Sequence, residues 1–334
     1  MMQGFDPKWR DFPDYILGIT QEIWEGRGLA SLTEYYAPQI VVRMPGGVST
    51  GNQGVIAATM ATLSEFPDRR LLGEDVIWSG TPEAGMLSSH RILSTATHTG
   101  DGAFGPATGK RLHYRVIADC HARGGAIDDE WLIRDNGAVV RQMGWDPRAF
   151  ARDQIAREGG PENCARPFTP ETDIPGPYTG HGNTNEWGAR LADTLTRIMA
   201  ADIAAVAQVY DRAANLFYPG GVETASHDGA ERFWMGLRAA FPSAAFTIHH
   251  VIGREDPMMP PRAALRWSLD GTHDGWGAFG APTGARVHVM GATHAEFGPW
   301  GGADGRHGWG IRRDYTLFDE TAVWKQIALH TGET

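Results

Sequence analysis

The sequence predicts an α+β protein made of two tandem copies of one domain. Three observations carry this reading. Residues 91–113 and 266–288 align without a gap, with 12 of 23 positions identical. The matches continue in order on both sides: MPGGVST at 44–50 with YPGGVET at 218–224, Phe66-Pro67 with Phe241-Pro242, and EWLIRDNGAVVRQMG at 130–144 with DYTLFDETAVWKQIA at 314–328. In each half, helical patterning comes first and strand patterning after, which gives helices on an antiparallel sheet rather than an alternating βαβ sheet.

An amphipathic helical stretch opens each half, Tyr15 to Tyr36 and Trp187 to Leu216. A short strand then runs into the Pro-Gly-Gly-Val turn, and a second helix follows at 54–65 and 229–240. Three or four strands close each unit. His113 to His121 and Ala126 to Asp135 are the clearest, joined by a hairpin turn at Gly124-Gly125. Six prolines among residues 146–186 mark a linker, with a short helix at Ala149 to Glu158 and an extended remainder lying across one of the domains. The expected bounds are 1–147 and 187–334 for the domains and 148–186 for the linker.

Charge and composition narrow the functional classes. Lys plus Arg number 30 against 40 Asp plus Glu, a formal charge of −10. With no basic run, this argues against nucleic acid and membrane surfaces as partners. A composition 42% hydrophobic and 21% charged belongs to a globular chain. The longest apolar stretches fall short of a membrane span, and the N-terminus carries acids and prolines where a signal peptide needs an apolar core. Cys120 and Cys164 make no disulfide framework, so the expected compartment is the cytoplasm.

Gly100-x-Gly102-x-x-Gly105 and Gly275-x-Gly277-x-x-Gly280 match the spacing of a dinucleotide fingerprint. That fingerprint needs a helix opening on the glycines, and here a Thr-Gly turn and a strand follow. The expected role is a strand-to-strand loop, pinned by His98 and His273.

The candidate chemistry lies on the strand after that loop. Alternation puts His113, Arg115, Ile117, Asp119 and His121 on one face. The next strand adds Trp131 and Asp135. A carboxylate and an imidazole beside an aromatic wall are the parts of an acid–base site. Asp135 also fits a helix N-cap, as its repeat partner Asp319 does. A metal site from His113, Asp119 and His121 lacks any supporting motif. Arg91 and Arg266 recur as a matched pair, read as structural ion pairs.

These motifs resemble the SnoaL-like polyketide cyclases of the NTF2-like superfamily. The carrying residues are the loop THTGDGAFGPATGKRLH, the histidine strand, and EWLIRDNGAVVRQMG, and the resemblance covers both halves outside the linker. It implies a curved antiparallel sheet wrapped around helices into a cone with a deep apolar pocket, and no metal or organic cofactor. It implies acid–base roles for Asp135, His121 and Asp119, with Asp119 a carboxylate where the cyclases carry an amide. Trp131, His113, Arg115, Tyr36 and Trp24 are the expected substrate contacts. In the second half the corresponding groups are Asp319, Glu296 and His294, and an insertion at 298–310 lengthens a hairpin.

The reading is therefore a cofactor-free acid–base enzyme, of cyclase, isomerase or hydrolase type, acting on a small, largely apolar carbonyl or lactone-type compound. The alternatives are a binding protein without catalysis and a dimerising scaffold of the same fold. The duplication is expected to form an internal pseudo-dimer, with further self-association left open.

Overall fold

The computed structural model describes residues 2–300 and 308–333. Its chain divides into two compact units, Met1–Asp146 with Arg166–Gly180 and Pro147–Ala165 with His181–Thr334. The linker is therefore shared. The helix Pro147–Arg157 goes with the second unit, and the extended stretch at 166–180 goes with the first.

The first unit opens with the helix Phe12–Thr20. Asp11 caps it by accepting from the Asp14 amide, and Pro13 fits its first turn. Its buried stripe is Phe12, Tyr15, Ile16 and Ile19. The helix runs on through one π-helical turn, Gln21–Glu25. Then come β1 (Tyr36–Met44), β2 (Gly47–Thr50), the helix Asn52–Glu65, β3 (Arg70–Thr81), β4 (Gly85–Thr97), β5 (Arg111–Arg123), β6 (Ala126–Arg134) and the helix Asn136–Gln142. The sheet order is β2-β1-β6-β5-β4-β3. Every neighbouring pair is antiparallel except β1 and β6, which run parallel. The expected antiparallel sheet is thus a mixed one. A parallel pair needs a long crossover, and here the crossover is everything between β1 and β6.

The second unit repeats this plan with β7 (Tyr210–Tyr218), β8 (Val222–Ala225), β9 (Ala245–Arg254), β10 (Arg262–Thr272), β11 (Arg286–Trp300) and β12 (Gly308–Phe318), in the order β8-β7-β12-β11-β10-β9. The pair β7 and β12 is again parallel. The opening helical stretch ends earlier than expected, because Tyr210, Ala214, Leu216 and Tyr218 bury alternate residues and form a strand. Of the insertion at 298–310, residues 301–307 lie outside the described residues. The flanking parts lengthen β11 and β12.

The hairpin turn between β5 and β6 falls at Gly124 and Gly125, with φ of 59° and 82°. A two-residue turn that matches the sheet twist requires such values, which glycine adopts freely. The glycine-rich loop leads from β4 into β5 with no helix opening on it. His98 pins it, its ring bonding Glu65 Oε1 at 3.2 Å and Thr108 Oγ1 at 3.1 Å. Among the described residues, no helix is long and apolar enough to cross a membrane.

Candidate functional site

The interior of the first unit is not filled. A cavity of about 190 Å³ lies between the sheet and the helices Phe12–Thr20 and Asn52–Glu65. Its wall is mostly apolar: Ile16, Ile19, Trp24, Leu71, Ile92 and Val116 among others. Hydroxyls of Thr20, Ser49, Thr59 and Thr62 interrupt that wall, and so do the larger polar side chains Tyr36, Arg69, His90, Glu130 and Arg134. A few polar groups in an apolar enclosure are the ordinary make-up of a small-molecule site.

Strand alternation decides which residues reach it. From β5 the lining residues are Val116, Ala118 and Cys120. From β6 they are Ile127, Glu130, Leu132 and Arg134. The β5–β6 register places Glu130 opposite Cys120 and Arg134 opposite Val116. Glu130 and Arg134 thus stand on one face, four residues or about 13 Å apart.

Burial governs the electrostatics. Glu130 is 6% exposed, and desolvation pushes its carboxyl up to about 7, opposed by a hydrogen bond from Tyr36. His90 is 2% exposed. Desolvation, with help from Arg91, pulls it down to about 4, so its ring is neutral at pH 7. Its Nε2 has no hydrogen-bond partner. Burial also holds the Cys120 thiol well above its usual range.

The residues expected from sequence divide sharply. Tyr36 and Trp24 line the cavity. Asp119, His121, Trp131, His113 and Arg115 do not, because they belong to the opposite sheet face. The alternation was sound, but the buried polar face is the outer one. The extended stretch at 166–180 covers part of it. Buried Arg43 pairs with Asp129 at 2.5 Å and with Asp173 at 2.5 Å, and donates to the Ile174 carbonyl. The Tyr178 amide donates to Asp129 at 3.1 Å, and the Tyr178 ring lies 4.7 Å from that of His121. His121 Nδ1 meets Asp128 Oδ1 at 2.5 Å. The Arg43 guanidinium stacks 4.5 Å from the Trp131 ring. Arg115 pairs with Glu74 at 3.0 Å, as Arg91 does at 3.1 Å, and exposed His113 bonds Gln142 only through its backbone.

Asp135 is also corrected. It is buried, but as the N-cap of Asn136–Gln142, accepting from the Ala138 amide at 2.9 Å. Its amide bonds the Arg115 carbonyl. His121 lies six residues further along β5, roughly 20 Å away, so the two do not form one site. Asp319 likewise caps Glu320–Thr331 through the Thr321 amide. Glu296 pairs with Arg313 at 2.8 Å, and His294 lies, like Glu296, on the face opposite Ala295 and Asp314. Among the described residues, no three His, Cys, Asp or Glu side chains are grouped to hold a metal ion.

The model of the SnoaL-like polyketide cyclases matches residues 15–143, and that of the SnoaL-like domain matches residues 190–302. The chain belongs to the SnoaL-like family, in two tandem copies. No curated protein matches it. Among solved structures it is similar to IdmH, a proposed polyketide cyclase from Streptomyces antibioticus, at 25% identity over 40% of this chain and 97% of that one, with a TM-score of 0.34. It is also similar to AclR, a proposed hydroxylase from Streptomyces galilaeus, at 18% identity over 39% and 92%, with a TM-score of 0.34. A third is a proposed SnoaL-like polyketide cyclase from Jannaschia sp. CCS1, at 16% identity over 44% and 96%, with a TM-score of 0.34.

The second SnoaL-like domain keeps one piece of the site. Tyr210 and Asp314 occupy the places of Tyr36 and Glu130. Asp314 accepts from the hydroxyls of Tyr210 at 2.8 Å and Tyr218 at 3.1 Å, and from Thr316 at 2.7 Å. Desolvation raises its carboxyl to about 6. The space around this pair is taken up by rings. Thr59 and Ile92 of the first domain correspond to Trp234 and Trp267, both fully buried. Gly291 lets Trp267 in, since a Cβ there would meet the indole at 2.3 Å.

A buried carboxylate recurring with its tyrosine was the signal that sequence reasoning passed over. Glu130 and Asp314 open the matched segments EWLIRD and DYTLFD, each directly before an aromatic residue, and both pair with the first tyrosine of a strand.

Proposed function

We propose that the first SnoaL-like domain is a cofactor-free acid–base enzyme for a small, largely apolar carbonyl or lactone-type compound, with Glu130 as the group that accepts and returns the proton. One observation carries this: a carboxyl inside an apolar cavity, with its proton affinity raised to about 7. A group titrating there can take a proton from carbon beside a carbonyl and give it back at neutral pH. Tyr36 donates to Glu130 and orients it. Neutral His90 lines the cavity beside them. Cyclisation, isomerisation and ring opening of a lactone all draw on these parts. The family, the absence of a basic run and the two free cysteines support a cytoplasmic enzyme with no nucleic-acid or membrane partner.

The test is a turnover screen of small lactones and β-dicarbonyl compounds, followed by Glu130→Gln on whichever substrate responds. The amide keeps the shape and removes proton acceptance. The expected loss in kcat is roughly a hundredfold to ten-thousandfold. In the parent, kcat should rise with pH through a value near 7, as Glu130 ionises. Undiminished turnover by Glu130→Gln would overturn the assignment.

A further inference from the structure

We infer that the end of the cavity lined by Arg69 and Arg134, with Tyr114 and Ser94 packed behind Arg69, is a carboxylate-binding subsite, so that the ligand is an amphipathic organic acid rather than a neutral apolar molecule. The inference deepens the proposed function and rests on the same cavity.

Arg69 is the central observation. It lines the cavity and is 6% exposed. A guanidinium is charged at any physiological pH, and burying one without a counter-charge is costly. Yet no carboxylate pairs with Arg69 among the described residues. Its side chain has Ser94, whose hydroxyl oxygen accepts from Nε at 3.4 Å, and the Tyr114 hydroxyl. Arg134, from the last residue of β6, lines the same end.

Register places the neutral partners there too. Ser94 and Tyr114 sit opposite one another on β4 and β5, and Leu71 sits opposite Ser94 on β3. Burial pushes the Tyr114 phenol up, but the guanidiniums of Arg69 and Arg134 and the hydrogen bonds with Ser94 and Arg69 outweigh it, and the phenol ends below its ordinary value. That outcome reports a positive local field, the field an anion would meet. Two planar forks suit a planar carboxylate, which can accept two parallel hydrogen bonds from one arginine. Leu71, Ile92 and Val116 adjoin this end and suit an apolar body.

The second domain serves as an internal control. At the places of Arg69, Ser94, Tyr114 and Arg134 it carries Ala244, Leu269, Val289 and Phe318, all buried in its core. His90 becomes Leu265 as well. The same sheet order forms with all five polar groups replaced by apolar ones. The fold therefore does not need the arginines, and the burial of Arg69 calls for a ligand.

The experiment is calorimetric titration of the full chain with cinnamate and with cinnamamide, which differ only in the head group. The parent should bind the acid at least tenfold more tightly than the amide. Arg69→Gln should bring that ratio close to one, while Arg69→Lys keeps part of it. Glu130→Gln should leave the preference in place or strengthen it. The melting temperature of Arg69→Gln should be equal to or above that of the parent, because the variant relieves an unpaired buried charge. Equal binding of acid and amide by the parent overturns the subsite, and needs no variant to fold. So does an acid preference that survives Arg69→Gln. Failure of this inference is separable from failure of the catalytic one. Turnover lost in Glu130→Gln with no acid preference leaves the base and removes the subsite, and an acid preference with turnover intact in Glu130→Gln does the reverse.

Discussion

The two SnoaL-like domains share strand order, register and caps, and differ in what fills the space between sheet and helices. The first keeps Ala58, Thr59 and Ile92 around a cavity. The second carries Phe233, Trp234 and Trp267 at those places, with Phe233 stacked 3.8 Å from Tyr218. A core packed with rings stabilises by the apolar area it removes from water. A hollow core gives up part of that area and its contacts. The difference teaches that the architecture tolerates either interior, so the polar lining of the first domain is not something the fold requires.

Exchanging the interiors should give the largest effects. Trp234→Thr removes a fully buried indole, and unfolding in urea should show the second domain weakened by roughly 3–5 kcal/mol. Thr59→Trp in the first domain should abolish ligand uptake, read by calorimetry, while costing about 1–3 kcal/mol from overpacking. If Thr59→Trp leaves binding intact, the cavity is not the site and the contrast between the halves loses its functional meaning.

The paired carboxylates come next. Glu130 ionises near 7 in the fold against an ordinary 4.5, and Asp314 near 6 against 3.8. In both, the fold holds the proton more tightly than the unfolded chain. The associated stability is therefore fully present below the ordinary value and is lost as pH rises through the folded one. The window is about 4.5 to 7 for Glu130 and about 3.8 to 6 for Asp314. A tenfold gain in proton affinity on folding is worth about 1.4 kcal/mol, so roughly 3 kcal/mol is at stake at each residue. Glu130→Gln should flatten its share of this decline, visible as a smaller loss of melting temperature between pH 5 and pH 8 than the parent shows. Asp314→Asn should gain less, because three hydroxyls already donate to Asp314. Parallel pH profiles for parent and Glu130→Gln would mean that the fold does not raise the Glu130 carboxyl.

The smallest effects belong to the caps, where the halves should behave alike. Asp135→Ala and Asp319→Ala should each cost about 1 kcal/mol, and the Asn variants close to nothing. Turnover in Asp135→Asn should equal that of the parent. A hundredfold loss there would restore Asp135 to the chemistry.

Most of the architecture was legible because it is written twice. The matched segments fixed the domain count, and Gly124-Gly125 fixed a hairpin with the positive φ values it needs. The parallel pairing of β1 with β6 was not legible, since nothing local in Tyr36–Met44 marks a partner some ninety residues away. The site was half legible. Alternation sorted β5 into two faces, but alternation carries no information about which face meets the helices. His121 and Asp119 drew attention because polar residues on a strand look like a lining, yet part of that face is covered by a segment of Pro-rich chain. Glu130 escaped notice because one carboxylate among forty acids shows its burial only once the sheet is folded.

The sharing of the linker has a consequence for how this duplication can evolve. A tandem copy ordinarily has one seam, where a gene can break and release either half. Here residues 147–165 belong with the second unit and residues 166–180 with the first, so the chain passes between units three times. A break ahead of 166 would strip Asp173, Ile174 and Tyr178 from buried Arg43 and Asp129. A break after 180 would carry off the helix Pro147–Arg157 and with it the bond from Lys325 to Glu158. No single excision returns two intact ancestors. The halves are free to drift in their linings, one hollow and one full, but the lineage has lost the simple route back to a single domain.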